Sequence, residues 1–411
     1  MDSCSVDYES RTASTERTSM TYGAFRPSAV PVAVHLARFE GRDGAAEYEF
    51  VLRPTAHGNI DTQITWLHRA YEEALAAHGL APETGVFRRF FCSDPHNHAP
   101  VFEAYPFSNP THGDPPCAVS WVGQPPEPPA KVSLWAQHVH DPRGIDTAQD
   151  GTSVSLARGE LSHHWTSNVS CTRVHTSLDQ TRGIFEEYDA FLARHGLTLT
   201  DNVVRTWFFV RHVDVNYKGL VVARRKLFKE RGLTPETHFI ASTGIEGISA
   251  LDTAKVAMDA YAVGGVRPEQ VAYLEALDHL GPTHVYGVTF ERATSVAYRD
   301  RKHIFISGTA SIDPEGNILH EGDVARQLDR ALENVEALLV QGGAGLGDMA
   351  TFIAYVRDPS DQALIRKCMT DRLGEDVPAA VVVAPVCRPG WLIELEGRAI
   401  VAGDWPELPA F

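Results

Sequence analysis

One pattern of helix, glycine and strand occurs three times in this chain, and an ordered repeat commits most of a polypeptide to copies of one folding unit. The copies are "AYEEALAAHGLAPETGVFRRFFCSD" from Ala70, "EYDAFLARHGLTLTDNVVRTWFFV" from Glu187 and "ENVEALLVQGGAGLGDMATFIAYV" from Glu333. Each opens as an amphipathic helix with leucine or alanine at helical spacing. Each helix closes on a glycine suited to a left-handed C-cap: Gly79, Gly196 and Gly342. Nine residues past each glycine, Arg88, Arg205 and Thr351 take a common place in a strand. Two β-rich runs follow each strand. A strand pair precedes the helix in the first unit ("VPVAVHLARFEG", "EYEFVLRPTA") and in the third ("HVYGVTFERATSVAY", "KHIFISGTASID"). The expected order is β-β-α-β-α-β-β three times, with second helices in "YKGLVVARRKLFKERG" and "DQALIRKCMTDRLG". Helices on one face of a mixed sheet make the class α+β. The expected divisions are a disordered polar tail over 1–28 and units over 29–142, 143–279 and 280–411.

Charge narrows the function. With 37 basic against 53 acidic residues the net is −16, which repels nucleic acid and anionic membrane surfaces alike. The six cysteines (Cys4, Cys92, Cys117, Cys171, Cys368, Cys387) form no CxxC pair and read as free thiols of a reducing compartment. No apolar run is long enough to span a membrane, and "MDSCSVDYESRTASTERTSMTYGAF" lacks the apolar core of a signal peptide. The expected setting is cytoplasmic, with a small-molecule carboxylate as partner and the chain acting as a monomer or weak homo-oligomer.

The segments "HIFISGTASIDPEGNI", "GDVARQLDRALENVEALL" and "GWLIELEGRAIV", in that order, resemble the Rid superfamily. "RTWFFV", "ARRKLF", "ASTGI", "FERAT" and "LIELEG" follow the order of its chorismatase branch. Rid proteins are trimers with ligand clefts between subunits. The resemblance therefore implies three Rid-like (chorismate-mutase-like) units forming a pseudo-trimer within one chain. It also implies conversion of chorismate to pyruvate and a cyclohexadiene diol or hydroxybenzoate, with no metal or cofactor. Two departures stand out. Simple Rid deaminases carry a carboxylate-holding arginine about fifteen residues before the strand glutamate, where this chain has Ala379. The chain also looks longer than chorismatases by an N-terminal unit. An enamine or imine hydrolase, and a non-catalytic small-molecule binder, stay open as alternatives.

In "WLIELEG", strand alternation puts Glu394 and Glu396 on one face, and either could point into a cleft. Glu394, among Trp391, Leu392 and Leu395, is the expected catalytic acid, with a pKa raised by apolar surroundings. Its counterparts in the other units read as Leu134 and Met258, so one working cleft of three is expected. Arg205 shares a strand face with Trp207 and Phe209, and a buried arginine there needs either an acidic partner or a bound carboxylate. Tyr217 and Arg224 fall on neighbouring helical turns, and the chorismatase pattern coincides with both. Arg292 could supply a second carboxylate anchor. Tyr286, Ser307, Thr309 and Ser242 complete the expected substrate-binding set. Paired histidines (His96 and His98, His138 and His140, His163 and His164) lack a third ligand at metal-binding spacing, so no metal site is expected.

Overall fold

The computed structural model describes residues 20–110 and 114–411, with the backbone alone at Tyr286, and shows three successive units of one topology. The first unit contains β1 (Thr21–Phe25), β2 (Val32–Glu40), β3 (Ala46–Pro54), α1 (Ile60–Ala77), β4 (Gly85–Cys92), α2 (Pro95–Ala104), β5 (Ala118–Gly123) and β6 (Val132–His140). The second contains β7 (Asp146–Asp150), β8 (Ser153–Arg158), β9 (Leu161–Ser170), α3 (Ser177–Arg194), α4 (Leu199–Asn202), β10 (Val203–Val210), α5 (Val213–Glu230), β11 (Ala241–Glu246) and β12 (Val256–Gly264). The third contains β13 (Val271–Leu274), β14 (Ala293–Ala297), β15 (Arg301–Ala310), α6 (Val324–Gln341), β16 (Met349–Val356), α7 (Gln362–Leu373), β17 (Ala379–Val383) and β18 (Ile393–Ala402).

Each unit forms a six-stranded sheet of the same order, β1-β2-β3-β6-β4-β5 in the first. The pairs β4/β5, β10/β11 and β16/β17 are parallel and the rest antiparallel. Every unit thus has one edge strand more than the expected order. In the first unit it falls inside the stretch read as a tail; in the third it begins at Val271, ahead of the expected boundary at 280. "HVYGVTFERATSVAY" is a strand only over Ala293–Ala297, because Thr283–Tyr286 is a short 3-10 turn closed by Gly287 at φ 86°. Among the described residues no helix is long and apolar enough to cross a membrane.

The repeat is exact enough to be read bond by bond. Asn59, Thr176 and Asp323 each accept a hydrogen bond from a backbone N–H three residues on, starting α1, α3 and α6, each of 18 residues. Past the helices the positive φ falls on Gly79, Gly196 and Gly343; Gly342, the expected cap, is right-handed. A buried glutamine on each first turn clamps the loop before the unit's last strand. Gln63 Oε1 accepts from Lys131 N–H, Gln180 Oε1 from Lys255 N–H and Gln327 Oε1 from Leu392 N–H. Their amides donate to Pro129, Thr253 and Gly390 carbonyls. A clamp that reads backbone at both ends fixes the register of β6, β12 and β18, where a slip of one residue would exchange the two faces.

The helix-free faces of the three sheets meet along a common interior containing Trp135, Trp165, Trp207, Phe209, Tyr261 and Phe305. Charges are buried there in pairs across the units. Arg89 donates through Nε and Nη2 to Asp259 Oδ2 (3.1 and 2.8 Å), both side chains being fully buried. Its guanidinium also lies 4.8 Å from the Trp207 ring and 5.0 Å from Trp135. Glu47 accepts from Arg301 Nη1 (2.9 Å) and Arg398 Nη2 (2.8 Å), joining the first unit to the third. Deleting one partner of such a pair leaves an uncompensated buried charge. Asp259→Ala is therefore expected to lose about 3–5 kcal/mol of unfolding free energy in urea; a loss below about 1 kcal/mol would place the pair with surface ion pairs instead.

Candidate functional site

The seam between the second and third units is stitched edge to edge. Ala241 bridges Glu291, Ser242 N–H donates to Ser307 Oγ (2.8 Å), and Gly308 N–H donates to Thr243 Oγ1 (2.9 Å). A cavity of about 50 Å³ lies in this seam. Tyr217 and Arg224 reach it from α5, and Ser242, Thr243 and Gly244 from β11. The third unit supplies Phe290, Arg292, Gly308 and Glu394, with Cys387, Arg388 and Trp391 from the loop before β18.

Glu394 points into this cavity, while Glu396, on the same strand face, points to the common interior. A bulge in β15 makes room for Glu394. Ile306 faces Gly397 and Thr309 faces Leu395, so Ser307 and Gly308 together oppose Glu396. A Cβ on residue 308 would come within 2.1 Å of Glu394 Oε1, so any larger residue would force the carboxyl from its place. Gly244 does the same for Tyr217, whose ring would lie 2.9 Å from a Cβ there. Burial pushes the Glu394 carboxyl up to about 8; the charge of Glu396 adds to the rise, and Arg205 and Arg292 oppose it. The site therefore holds a neutral carboxylic acid close to neutral pH.

Arg224 is buried, donating through Nη1 to Ser242 Oγ (3.2 Å) and through Nε to Thr289 Oγ1 (3.3 Å). Its Nη2 has no hydrogen-bond partner among the described residues, so a cation with unspent donors faces the cavity. Arg292 donates through Nη2 to the Gly281 carbonyl (3.0 Å), which fixes its guanidinium from the third unit's side. Burial holds the Tyr217 phenol well above its usual range and the Cys387 thiol up to about 12, so both are neutral donors.

Five expected residues thus share one cavity: Glu394, Tyr217, Arg224, Arg292 and Ser242. Others do not. Arg205 is buried away from it, donating to Glu396 Oε2 (2.7 Å) and Thr243 Oγ1 (2.6 Å); Trp207 Nε1 and the Tyr355 hydroxyl donate to Glu396 Oε1 (2.9 Å each). That acidic partner, not a ligand, accounts for an arginine and a tryptophan in a buried strand. Ser307 spends its hydroxyl on the seam, accepting from Ser242 N–H and donating to the Glu291 carbonyl (2.5 Å). Thr309 donates to the Ser307 carbonyl (2.9 Å). The Tyr286 side chain lies outside the described residues.

The glutamine clamps also correct the expected counterparts of Glu394. Counting from the clamped residues gives Ser133 and Ala257; Leu134 and Met258 match Leu395, one residue and one face away. The conclusion is unchanged, since neither true counterpart is an acid. The arginine count shifts as well. Strand pairing makes Ser242 of the second unit the counterpart of Ala379, and Arg224 reaches that place from a helix. Cys387 and Arg388 were missed as site residues, because the loop carrying them has no periodicity, whereas Trp391 was expected beside Glu394. Of the paired histidines, His138, His163 and His164 are buried, His138 bonding Thr84 Oγ1 (2.8 Å) and His163 the Tyr261 hydroxyl (2.7 Å), whereas His96 is exposed.

Known proteins resemble this chain as follows. The family model described as Endoribonuclease L-PSP matches residues 291–401. A RutC family protein of Pyrococcus abyssi is 35% identical over 106 residues, covering 26% of this chain and 84% of that protein. A 3-hydroxybenzoate synthase of Streptomyces hygroscopicus is 27% identical over 326 residues, covering 73% of this chain and 89% of that protein. A solved chorismatase structure shares the fold with a TM-score of 0.61 at 19% identity, covering 86% of this chain and 98% of that one. That coverage leaves no room for a whole additional N-terminal unit, so the first unit is part of the shared architecture.

The raised pKa of Glu394 makes stability depend on pH. Between the ordinary carboxyl value of 4.5 and about 8 the folded chain holds a proton that the unfolded chain releases, so stability falls as pH rises through that window. Glutamine carries no such proton. Glu394→Gln is expected to melt higher than the parent, by more at pH 8 than at pH 5; an equal offset at both would show Glu394 to be unshifted.

Proposed function

The chain belongs to the chorismatase-like branch of the Rid superfamily, and we propose that it is a cofactor-free lyase or hydrolase acting on chorismate or a similar small carboxylated enol ether. The observation that carries this reading is a buried, neutral Glu394 facing arginines contributed by two different units. An enol ether reacts once its terminal methylene gains a proton, and a carboxylic acid poised near 8 is matched to that transfer. A substrate with two carboxylates needs two cations, and bidentate guanidinium contacts from Arg224 and Arg292 fix its orientation as well as its affinity. Tyr217 and Ser242 offer hydroxyls at the same wall.

In the proposed reaction Glu394 gives its proton to the methylene, which becomes a methyl group, and positive charge develops on the ether carbon. Capture of that carbon by water, whose released proton restores Glu394, gives a hemiketal; its hydroxyl proton passes to the ring oxygen as the C–O bond breaks, releasing pyruvate and the ring alcohol. Cleavage of the ring C–O bond with loss of a ring proton releases pyruvate and a hydroxybenzoate, and the ring proton restores Glu394. At about 50 Å³ the cavity is far below the roughly 300 Å³ of ordinary ligand pockets, so binding has to displace wall side chains. A Rid-type enamine or imine hydrolase finds less support, since Ser242 stands where that chemistry places a strand arginine.

Incubation with chorismate is expected to yield pyruvate, and kcat/KM is expected to fall as pH rises through about 8. Glu394→Gln is expected to lower kcat by roughly 10²–10⁴-fold. Full turnover by the Gln variant, or no pyruvate from the parent, contradicts the proposal.

A further inference from the structure

The threefold construction builds the seam between the third and first units from the same parts. Val383 N–H donates to the Pro125 carbonyl (2.8 Å) as Glu246 N–H donates to the Pro385 carbonyl (3.2 Å). The loop before β6 therefore enters this seam as the loop before β18 enters the one holding Glu394. Two residues beyond those prolines stand Glu127 and Cys387. Both of these seams also receive an arginine from the helix that follows a central strand, α7 after β16 and α5 after β10. Arg366 of α7 donates through Nη1 to the Ala379 carbonyl (2.9 Å), and Arg224 of α5 donates through Nη1 to Ser242 Oγ, at the matching strand position.

The two seams differ in what meets the guanidinium. Beside Arg224 sits a neutral thiol. Beside Arg366 sits Glu127, only 7% exposed, whose Oε2 accepts from Arg366 Nε (2.8 Å), pairs with Nη2 (2.6 Å) and lies 3.7 Å from Arg53 Nε. A cavity of about 270 Å³ adjoins this arginine pair, with Ser133 where the other seam has Glu394. His35 lines it too; its Nδ1 is buried with no hydrogen-bond partner among the described residues. Burial first, and Arg366 after it, hold this imidazole below its usual pKa, with Asp376 opposing. The acids nearest the mouth, Glu375 and Asp376, are exposed, so water screens them.

We propose that the cleft between the third and first units is a second carboxylate-binding site, without catalytic acid, whose ligand is the chain's own Glu127. The Arg53–Arg366 pair is a guanidinium cradle of the kind a small monocarboxylate occupies. A tethered carboxylate outcompetes a free one because its effective concentration is set by a short loop. Cutting Glu127 back empties the cradle and opens it to small carboxylates from solution. The inference rests on the geometry of this cleft and is independent of the reaction at Glu394.

Melting of the full-length Glu127→Ala chain in sodium acetate, against sodium chloride at matched ionic strength, tests it. Acetate is expected to raise the melting temperature of Glu127→Ala by several degrees more than that of the parent. The added gain is expected to vanish in Glu127→Ala with Arg366→Met. Any acetate binding at the Glu394 seam is common to all three chains and cancels. An equal acetate shift in parent and variant, or a gain that survives loss of Arg366, overturns the proposal. Should Glu127→Ala not fold, the near-isosteric Glu127→Gln chain is expected to bind one more benzoate than the parent in equilibrium dialysis; equal stoichiometry overturns it.

Discussion

Glu396 is a buried carboxylate that cannot be satisfied within its own unit. It takes hydrogen bonds from Arg205 and Trp207 of the second unit and from Tyr355 of the third, with Arg89 of the first 4.0 Å away. Charges at such depth are costly unless each meets its opposite, so units separated from one another would expose unpaired ions. Pairing across the interior aligns β10 with β18. That alignment carries β11, the neighbour of β10, against the bulge of β15, and the bulge gives Glu394 its space. The same carboxylate, two residues along the strand, contributes to keeping Glu394 protonated. One buried ion thus links assembly of the units to the acidity of the site.

Two seams built on one strand order differ at a few positions that matter chemically. The position of Glu394 holds serine in the first unit and alanine in the second, so this strand position carries a carboxyl in one unit alone. The loop position that is Cys387 in one seam is Glu127 in another, and the change decides whether an arginine faces a neutral neighbour or a resident anion. Size does not mark the cleft proposed to be reactive: the cavity beside Arg366 is the larger, at about 270 against about 50 Å³. What distinguishes the smaller one is an acid held neutral by burial beside a guanidinium with donors to spare.

Much of this was legible in the sequence, and for physical reasons. Helix periodicity and terminal glycines exposed the threefold repeat, and alternation in "WLIELEG" put two glutamates on one face. Tyr217 and Arg224 came together because helical spacing places them so. The errors came where a single residue changes the face. Residue pattern alone matches Glu394 to Leu134 and Met258, one residue out of register, whereas the clamps from Gln63, Gln180 and Gln327 fix the register and read only backbone, which sequence does not display. Arg205 resembled a ligand anchor because its partner, Glu396, lies 191 residues away. Edge strands β1, β7 and β13 were invisible for want of any strong apolar alternation.

A substrate with two carboxylates is proposed to lodge in one seam, between a protonated Glu394 and two guanidinium groups. A crystal structure of the Glu394→Gln chain soaked with chorismate tests it most directly. One chorismate is expected in the seam of the second and third units, its carboxylates on Arg224 and Arg292 and its methylene against residue 394. Chorismate bound in another seam, or with its methylene turned away from residue 394, would contradict it.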